Sequence, residues 1–511
     1  MNKFESLITT VAPVWAAKRA RAHDMVAAYE AARQTRTHKA KKSKGSGEVV
    51  ARVSGRSLRE QARDLDENHD LAAGVLNTLE TRCIGANGIA VQPQIKRIGG
   101  GLHNEFIKEL LKRRKNWDKR PDVSGQYKWP QLERLAFRTW LRDGELLSLI
   151  HAGNIAGLNH GTQTQMSLEM LEIDFLADDI DLSGGIEINA WGQPTRYRLY
   201  KGHPGGQLPV RETKWVSASQ LLHPRIVKRF HQYRGISIFA AVMIRLADIK
   251  DYEESERVAA RVAARLAAYI KKGDPQSYVA PERDESGNPT SSHRQLEIAN
   301  GMIFDDLLPG EEVGVIESSR PSVLLQPFRD AMQRAVSAGT RAGYSSTSKN
   351  YNGTYSSQRQ ELVENMDEYG VIANDFIGQF SQPVHEWFVL TSISSGLKVP
   401  ADVDLDTLLD ADFLVPPMPW INPVHEIKAK TDEIRAGLCS RSKHIRASGQ
   451  NPDDVIDEID REREEDNKRG LVFDSDAAND KAPASIGNTP AEEDTKAPDH
   501  EQPDQEVTPK K

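Results

Sequence analysis

The sequence predicts a mainly helical α+β chain built of several domains. Three observations carry that prediction. The first is Ser237–Lys272, SIFAAVMIRLADIKDYEESERVAARVAARLAAYIKK, 36 residues without a proline or glycine. The second is a block of strand-like runs, LLSLIHA and MSLEMLEID, between Glu145 and Asp181. The third is composition: 511 residues that are 38% hydrophobic, 28% charged and 6% aromatic are too polar for one compact core.

Taken in order, residues 1–33 read as an amphipathic helix interrupted at Pro13, and THKAKKSKGSGEVV reads as a basic Gly/Ser-containing linker. Residues 1–56 are thus expected to form a flexible basic arm. Order is expected near Ser57, where Ser57-Leu-Arg-Glu60 has the form of a capping box that opens one helix to about Ile84. Gly85, Asn87 and Gly88 turn the chain into a short strand, Ile89 to Gln92. Helices are expected over His103–Trp117 and Trp129–Asp143, and Gly185–Tyr200 carries further strands around the turn Asn189-Ala-Trp-Gly192.

The long segment then begins with Ser237 as N-cap, after the helix-breaking Gly235. Ile238, Val242, Leu246 and Ile249 recur at helical spacing, as do Val258, Val262, Leu266 and Tyr269. Gly273-Asp274-Pro275 ends it. As one helix it would span about 54 Å. Acids crowd its first half, including Asp248, Asp251, Glu253, Glu254 and Glu256, and Arg257, Arg261 and Arg265 follow at i, i+4 spacing. That order suits the helix dipole but stacks like charges on one face. Either this is a solvated surface, or the arginine row faces acids on a neighbouring copy of the same helix.

Beyond it, residues 273–320 are polar, with short strands expected at GMIFDDL and EEVGVIE. A helix is expected from Ser322 to about Arg341. A Gly/Ser/Asn-rich loop follows over Ala342–Ser356, with Gly343 and Gly353 as hinges and Lys349 as its one charge. A second long helix is expected over Ser357–Phe388. Two more, each opened by Asn-Pro, lie in NPVHEIKAKTDEIRAGL and NPDDVIDEIDREREEDNKRGL. Residues 472–511 have the composition of an acidic disordered tail.

Charge is unevenly spread. The chain carries −7 overall, yet residues 1–60 hold 13 Lys/Arg against 5 Asp/Glu, and residues 471–511 hold 10 acids against 4 lysines. A basic arm of that kind binds nucleic acid or an acidic protein face, or else serves only as a solubilising arm. No apolar run approaches the 18 or so residues of a membrane span, and the N-terminus has its apolar and basic parts in the wrong order for a secretory signal. With two distant cysteines, Cys83 and Cys439, neither a disulfide framework nor a cysteine-based zinc site is credible, and a reducing cytoplasmic setting fits.

Enzyme signatures fare poorly. There is no Gly-Lys dipeptide, hence no Walker A loop, and the His-Glu pairs at His385, His425 and His500 lack a second histidine four residues on. Gly99-Gly100-Gly101 forms no dinucleotide fingerprint. The best metal candidate is Asp174, Asp178, Asp179 and Asp181, whose carboxylates could hold Mg²⁺ for phosphodiester cleavage. Those residues also sit where aspartates serve turns alone. Neither a catalytic residue nor a cofactor is expected.

Five segments, in order, resemble the lambda-like family of tailed-bacteriophage portal proteins. They are RSLREQARDLDENHDLAAGVLNTLETRCIGANGIAVQPQ, LLHPRIVKRFHQYRGISIFAAVMIRLADIKDYEESERVAARVAA, LLPGEEVGVIESSRPS, NYNGTYSSQRQELVENMDEY with PVHEWF, and WINPVHEIKAKTDEIRAGLCSRSKHIRASGQNPDDVIDEIDRERE. Together they span about Arg56 to Leu471. The resemblance implies a multidomain subunit with wing, stem helices, clip and crown. Such subunits form a ring, usually a dodecamer, at one capsid vertex, through which double-stranded DNA is packaged and ejected. On that pattern residues 57–236 resemble the wing, 237–272 and 321–341 the two stem helices, and 273–320 the clip. Residues 342–356 resemble the tunnel loop, 357–415 the return to the wing, and 416–471 the crown. The tunnel loop would offer Lys349, Tyr344, Asn350 and Tyr351 to DNA. Stem contacts between subunits would use Arg257, Arg261, Arg265, Glu253 and Glu254. The implied partners are further copies of the chain, DNA, the terminase large subunit, the major capsid or scaffold protein, and head-tail connector proteins. The implied places are the virion vertex and, during assembly, the host cytoplasm. The competing readings are a metal-dependent nuclease on the aspartate cluster and a nucleic-acid adaptor working through the basic arm.

Overall fold

The computed structural model describes residues 45–177, 184–206, 212–265, 269–272, 311–314, 325–417, 423–448, 450 and 452–471. The expected N-terminal helix, the strand GMIFDDL and the acidic tail lie outside them. The chain divides into two compact units at Pro423/Val424.

The first unit opens earlier than the sequence suggested. Helix α1 is Gly47–Asn68, capped by Ser46, whose hydroxyl accepts from the Val49 N–H at 3.3 Å. The expected cap at Ser57 is therefore mid-helix, where its hydroxyl accepts from Gln61 instead. The expected single helix to Ile84 is broken at His69, which is extended (φ −129, ψ 111), and α2 runs Asp70–Cys83. A tertiary contact accompanies the break: His69 Nε2 lies 3.0 Å from the carbonyl oxygen of Leu246. Strand β1 (Ala90–Pro93), α3 (Asn104–Trp117) and α4 (Trp129–Asp143) follow close to expectation.

Two small antiparallel sheets come next. Strands β2 (Leu147–Ala152) and β3 (Met166–Leu171) pair along their whole length. Strands β4 (Ile186–Ile188), β5 (Pro194–Tyr200) and β6 (Thr213–Ser217) form a meander, and β7 (Leu221–Leu222) returns to β2. Leu147, Ile173, Ile186, Leu199 and Val216 make a local apolar core between them. Gly144, left-handed at φ 85, closes α4 against the backbone of Ile236 and Ser237, and Gly235 lies on Gly144 in turn. A Cβ on either would collide with backbone, so two glycines fix where the segment leading into Ser237 meets the end of α4.

The segment expected as one 36-residue helix is three pieces. Ser237 caps a 3₁₀ turn, Ile238–Ala241, then α5 runs Met243–Arg265, and Tyr269–Lys272 is strand β8. Val242, with φ −120 and ψ −2, makes the first break, and its side chain fits against Gly339. The second follows from pairing: β8 runs antiparallel to β9 (Glu311–Gly314), setting Lys271 opposite Glu312 and Lys272 opposite Glu311. A Tyr-Ile pair with opposite charges across the ladder favours a strand over a further helical turn.

Helix α6 (Leu325–Thr340) packs on α5, with Tyr252 and Phe328 rings 4.8 Å apart. Ala342–Ser356 is not an irregular loop. It contains a short helix, α7 (Tyr344–Ser348), and α8 (Tyr355–Phe376) starts inside it with Thr354 as cap. The expected helix to Phe388 reaches Ser394, through a π turn at Ile377–Ser381 and α9 (Gln382–Ser394). There the Gln382 N–H reaches back five residues to Ile377. Pro383, which has no N–H to give, follows directly, and such a proline forces this local adjustment. A strand the sequence did not suggest, β10 (Ala411–Leu414), pairs with β1.

The main core is aromatic. Trp117, Trp129, Phe137, Trp140, Phe376, Phe380 and Phe388 are buried, joining α3 and α4 to α8 and α9. Arg114 lies over the rings of Trp117 and Trp129 at 4.9 and 4.8 Å and bonds Asp118 at 2.7 Å.

The second unit holds α10 (Pro423–Arg435), α11 (Arg441–Ala447), which the sequence reading missed, and α12 (Pro452–Arg469).

Candidate nucleic-acid interface

The segment between α6 and α8 is pinned rather than hinged. The Gly343 N–H donates to the Tyr369 hydroxyl at 2.9 Å, and a Cβ at Gly343 would strike that oxygen and the Asn365 amide. This glycine serves close approach, with an ordinary φ of −58. One carboxylate, Glu361, accepts from both the Ser345 N–H (2.9 Å) and the Ser345 hydroxyl (2.6 Å). Buried Thr347 meets Gly74 of α2. Arg334 of α6 stacks on Tyr344, 5.1 Å from its ring centre.

Against that frame the four residues expected at the interface separate. Tyr344 is half-buried, and its hydroxyl accepts from the Asn350 amide at 3.4 Å. These two hold the segment's shape. Lys349 and Tyr351 are exposed. Lys349 ends α7 in the left-handed region at φ 56, the conformation a helix-ending residue takes and glycine prefers. The Tyr351 carbonyl accepts from the Gln358 side chain, which ties the tip to α8.

Two cations escaped the sequence reading. Arg82 of α2 and Arg359 of α8 line a pocket of about 210 Å³ with Ser345, Tyr351, Tyr355 and Leu362. Arg359 is four residues beyond Tyr355, so a helical start at Tyr355 would have revealed it. Arg82 is about 270 residues away in sequence, and nothing local signals it.

On the stem pair, Glu253 is bound within the chain, 2.8 Å from Arg329 of α6. Glu254, Arg257 and Arg261 are exposed and make no ion pair among the described residues. The side chain of Arg265 lies outside the described residues. Of the first apolar row, Val242, Leu246 and Ile249 are buried, whereas Val258 of the second is exposed.

Asp174 is not free to hold a metal. Arg63 Nη2 sits 2.5 Å from it and Arg59 3.4 Å. Burial alone would raise its pKa, but the two guanidiniums outweigh that and hold the carboxyl below the usual aspartate range. Asp178, Asp179 and Asp181 lie outside the described residues.

These arginines belong to a buried network. Glu145, 1% exposed, receives Arg234 at 2.9 Å, His223 at 3.2 Å, Arg59 at 3.7 Å and the Gly235 N–H at 2.7 Å. Arg63 bonds Asp143 at 2.6 Å, and Arg138 joins Asp66 to Glu80. Burial pushes the Glu145 pKa up, yet Arg234 and His223 overcome it and hold the group well below the glutamate range.

Comparison with known proteins gives the family. A model of the phage portal proteins of the lambda family matches residues 33–372. A probable portal protein of Halomonas phage phiHAP-1 is 25% identical over 457 residues, covering 84% of this chain and 85% of that one. Among solved structures, a chain from the neck of a native GTA particle computed with C12 symmetry is 14% identical, with a TM-score of 0.45, over 80% of this chain and 99% of that one. A HK97 family portal protein from Corynebacterium diphtheriae is 11% identical, with a TM-score of 0.26, over 61% and 84%. The chain belongs to the lambda family of phage portal proteins.

Proposed function

We propose that copies of this portal protein close into a ring, of twelve subunits on the family pattern, with α5 and α6 as the stem around a channel for double-stranded DNA. The observation that carries the ring is the contrast in charge along the chain. Around Glu145 the guanidiniums of Arg59, Arg63 and Arg234 each meet a carboxylate, whereas Arg257 and Arg261 on α5 are exposed and make no ion pair among the described residues. A row of like charges on one helix face is unfavourable alone and becomes favourable opposite acids on a neighbour. Exposed Val258 adds apolar surface beside that row. On the same pattern residues 273–320, of which only 311–314 are among the described residues, form the clip that docks the terminase large subunit and later the connector proteins. The capsid or scaffold protein is assigned no surface. The channel is carried by the cations Lys349, Arg82 and Arg359, whose weak, solvated contacts suit sliding DNA, with exposed Tyr351 beside them.

Mass photometry of the purified chain tests the ring. We expect a species near twelve times 57 kDa that weakens as salt rises. Arg257→Glu with Arg261→Glu should shift it to monomer while leaving the melting temperature unchanged. A monomeric wild type at low and moderate salt, or full rings from the double variant, would remove the stem from assembly.

A further inference from the structure

Two clusters among the described residues bring three metal-ligating side chains within 4.8 Å of one another: Glu172, Asp174 and His203, and Glu433, Cys439 and His444. They differ in what already occupies them. In the first, Arg63 lies 2.5 Å from Asp174 and 3.8 Å from Glu172, so a guanidinium stands where a cation would. In the second, the contact within the cluster is between two of its own members, His444 Nε2 and Glu433 Oε2 at 3.2 Å.

We propose that Glu433, Cys439 and His444 form a zinc site at the turn between α10 and α11. Three observations lead there. First, the turn is built to bring them together. Helix α10 ends on left-handed Gly437 (φ 74), the Leu438 N–H returns to the Glu433 carbonyl at 3.0 Å, and Ser440 starts α11 by accepting from the Lys443 N–H at 3.1 Å. Cys439 is thereby fixed between two helices, with Glu433 on the last turn of α10 and His444 midway along the short α11. Second, His444 Nε2 is buried and has no hydrogen-bond partner, although Glu433 Oε2 is 3.2 Å away. Bonds of about 2.0 to 2.3 Å place two ligands of one tetrahedral ion roughly 3.3 to 3.8 Å apart, so a small outward rotation of the exposed Glu433 side chain admits the ion. Third, the donor set is chemically selective. A thiolate, an imidazole and a carboxylate suit zinc, whereas magnesium and calcium want oxygen alone. A fourth position stays open to water. Binding displaces the thiol proton to solvent as the sulfur–zinc bond forms, so affinity rises with pH.

Counting cysteines could not reveal this site, because it needs only one. The metal would lock α10 to α11.

The full chain, stripped with chelator and dialysed, is titrated with Co²⁺ and then Zn²⁺. We expect one metal per chain, a thiolate-to-cobalt charge-transfer band with the strong visible absorption of tetrahedral cobalt, and loss of both on adding zinc. Cys439→Ser should abolish the charge-transfer band, and His444→Gln should weaken zinc binding by more than the roughly tenfold loss typical of even outer partners. Cys83→Ser, which removes the buried and separate thiol, should change nothing in the spectrum. The absence of a thiolate band in the wild type, or a band unchanged in Cys439→Ser, overturns the proposal. Circular dichroism of each variant separates lost binding from lost folding. If Cys439→Ser fails to fold, His444→Gln carries the test, and unchanged zinc affinity in it overturns the site.

Discussion

The Glu145 network and the α5 surface are made of the same residue types and do opposite things. Around Glu145, arginines from α1 and from the loop before the stem converge on carboxylates that sit at or just beyond the end of α4. Each charge is satisfied inside the chain, at a low-dielectric site where losing one partner strands the other. On α5, Arg257 and Arg261 stand one turn apart and face away from their own subunit. The difference teaches how to read charge in this protein. Arginines paired internally hold the first unit together, and the exposed pair on α5 is what the proposed ring would use.

That contrast is broken most directly at Glu145. Glu145→Ala leaves buried Arg234 without its counter-charge and takes one of Arg59's two carboxylates, and should cost about 3–5 kcal/mol, read as a large fall in melting temperature. A loss no larger than that of a surface substitution would show that the network is not structural.

Little of this network was legible in the sequence. Arg59 and Glu145 are 86 residues apart and Arg234 is 89 beyond that, so no local spacing links them. Locally encoded features fared better. Trp129–Asp143 was readable to the residue because its start has a proline in the first turn and its end has Gly144. Reading failed where tertiary contacts overrode a helical pattern: His69, held by Leu246, split one helix, and β9 claimed the end of another. In the segment before α8, Lys349 and Tyr351 are exposed, which loop composition alone does not reveal. Tyr344 and Asn350 were placed beside them although their bond to each other gives them a structural task.

A second buried glutamate sharpens the comparison, because its pH dependence has the opposite sign. Glu133 is fully buried with no cation bonded to it, accepting only from the Ile89 N–H and the Ser381 hydroxyl. Burial pushes its pKa up to about 7, from 4.5. The folded state therefore binds a proton that the unfolded state has released over that window. The stabilisation is full below pH 4.5 and is lost as pH rises through about 7. For Glu145, whose folded pKa is depressed, stabilisation is present above the unfolded value and lost as the pH falls through the folded one. Denaturant melts of wild type and Glu133→Gln between pH 4.5 and 8 should diverge, with the wild type losing roughly 3 kcal/mol relative to the variant. Parallel curves would mean that Glu133 stays ionised in the fold.

The smallest effect on stability, and the most informative for the channel, is expected at Lys349. The side chain is exposed, so an ionic contact from one copy to a phosphate is worth under about 1 kcal/mol and fades with salt. Yet the residue has two properties that a single substitution confounds: its charge, and its left-handed backbone at φ 56. Lys349→Ala removes the charge and keeps a side chain unsuited to that φ, whereas Lys349→Gly removes the charge and fits the backbone. If the charge holds DNA, both variants should form rings of normal mass and both should protect less DNA from nuclease in a packaging reaction, to the same extent. If the backbone matters more, the alanine variant, which keeps a Cβ at that φ, should match wild type, and only the glycine variant should depart from it. Tyr344→Phe is the control on the other side of the comparison. It deletes the hydroxyl that accepts from Asn350, so it should loosen the segment and lower the melting temperature without touching the charge. Normal DNA retention in both Lys349 variants would take this lysine out of the channel and leave Arg82 and Arg359 as the cations to test.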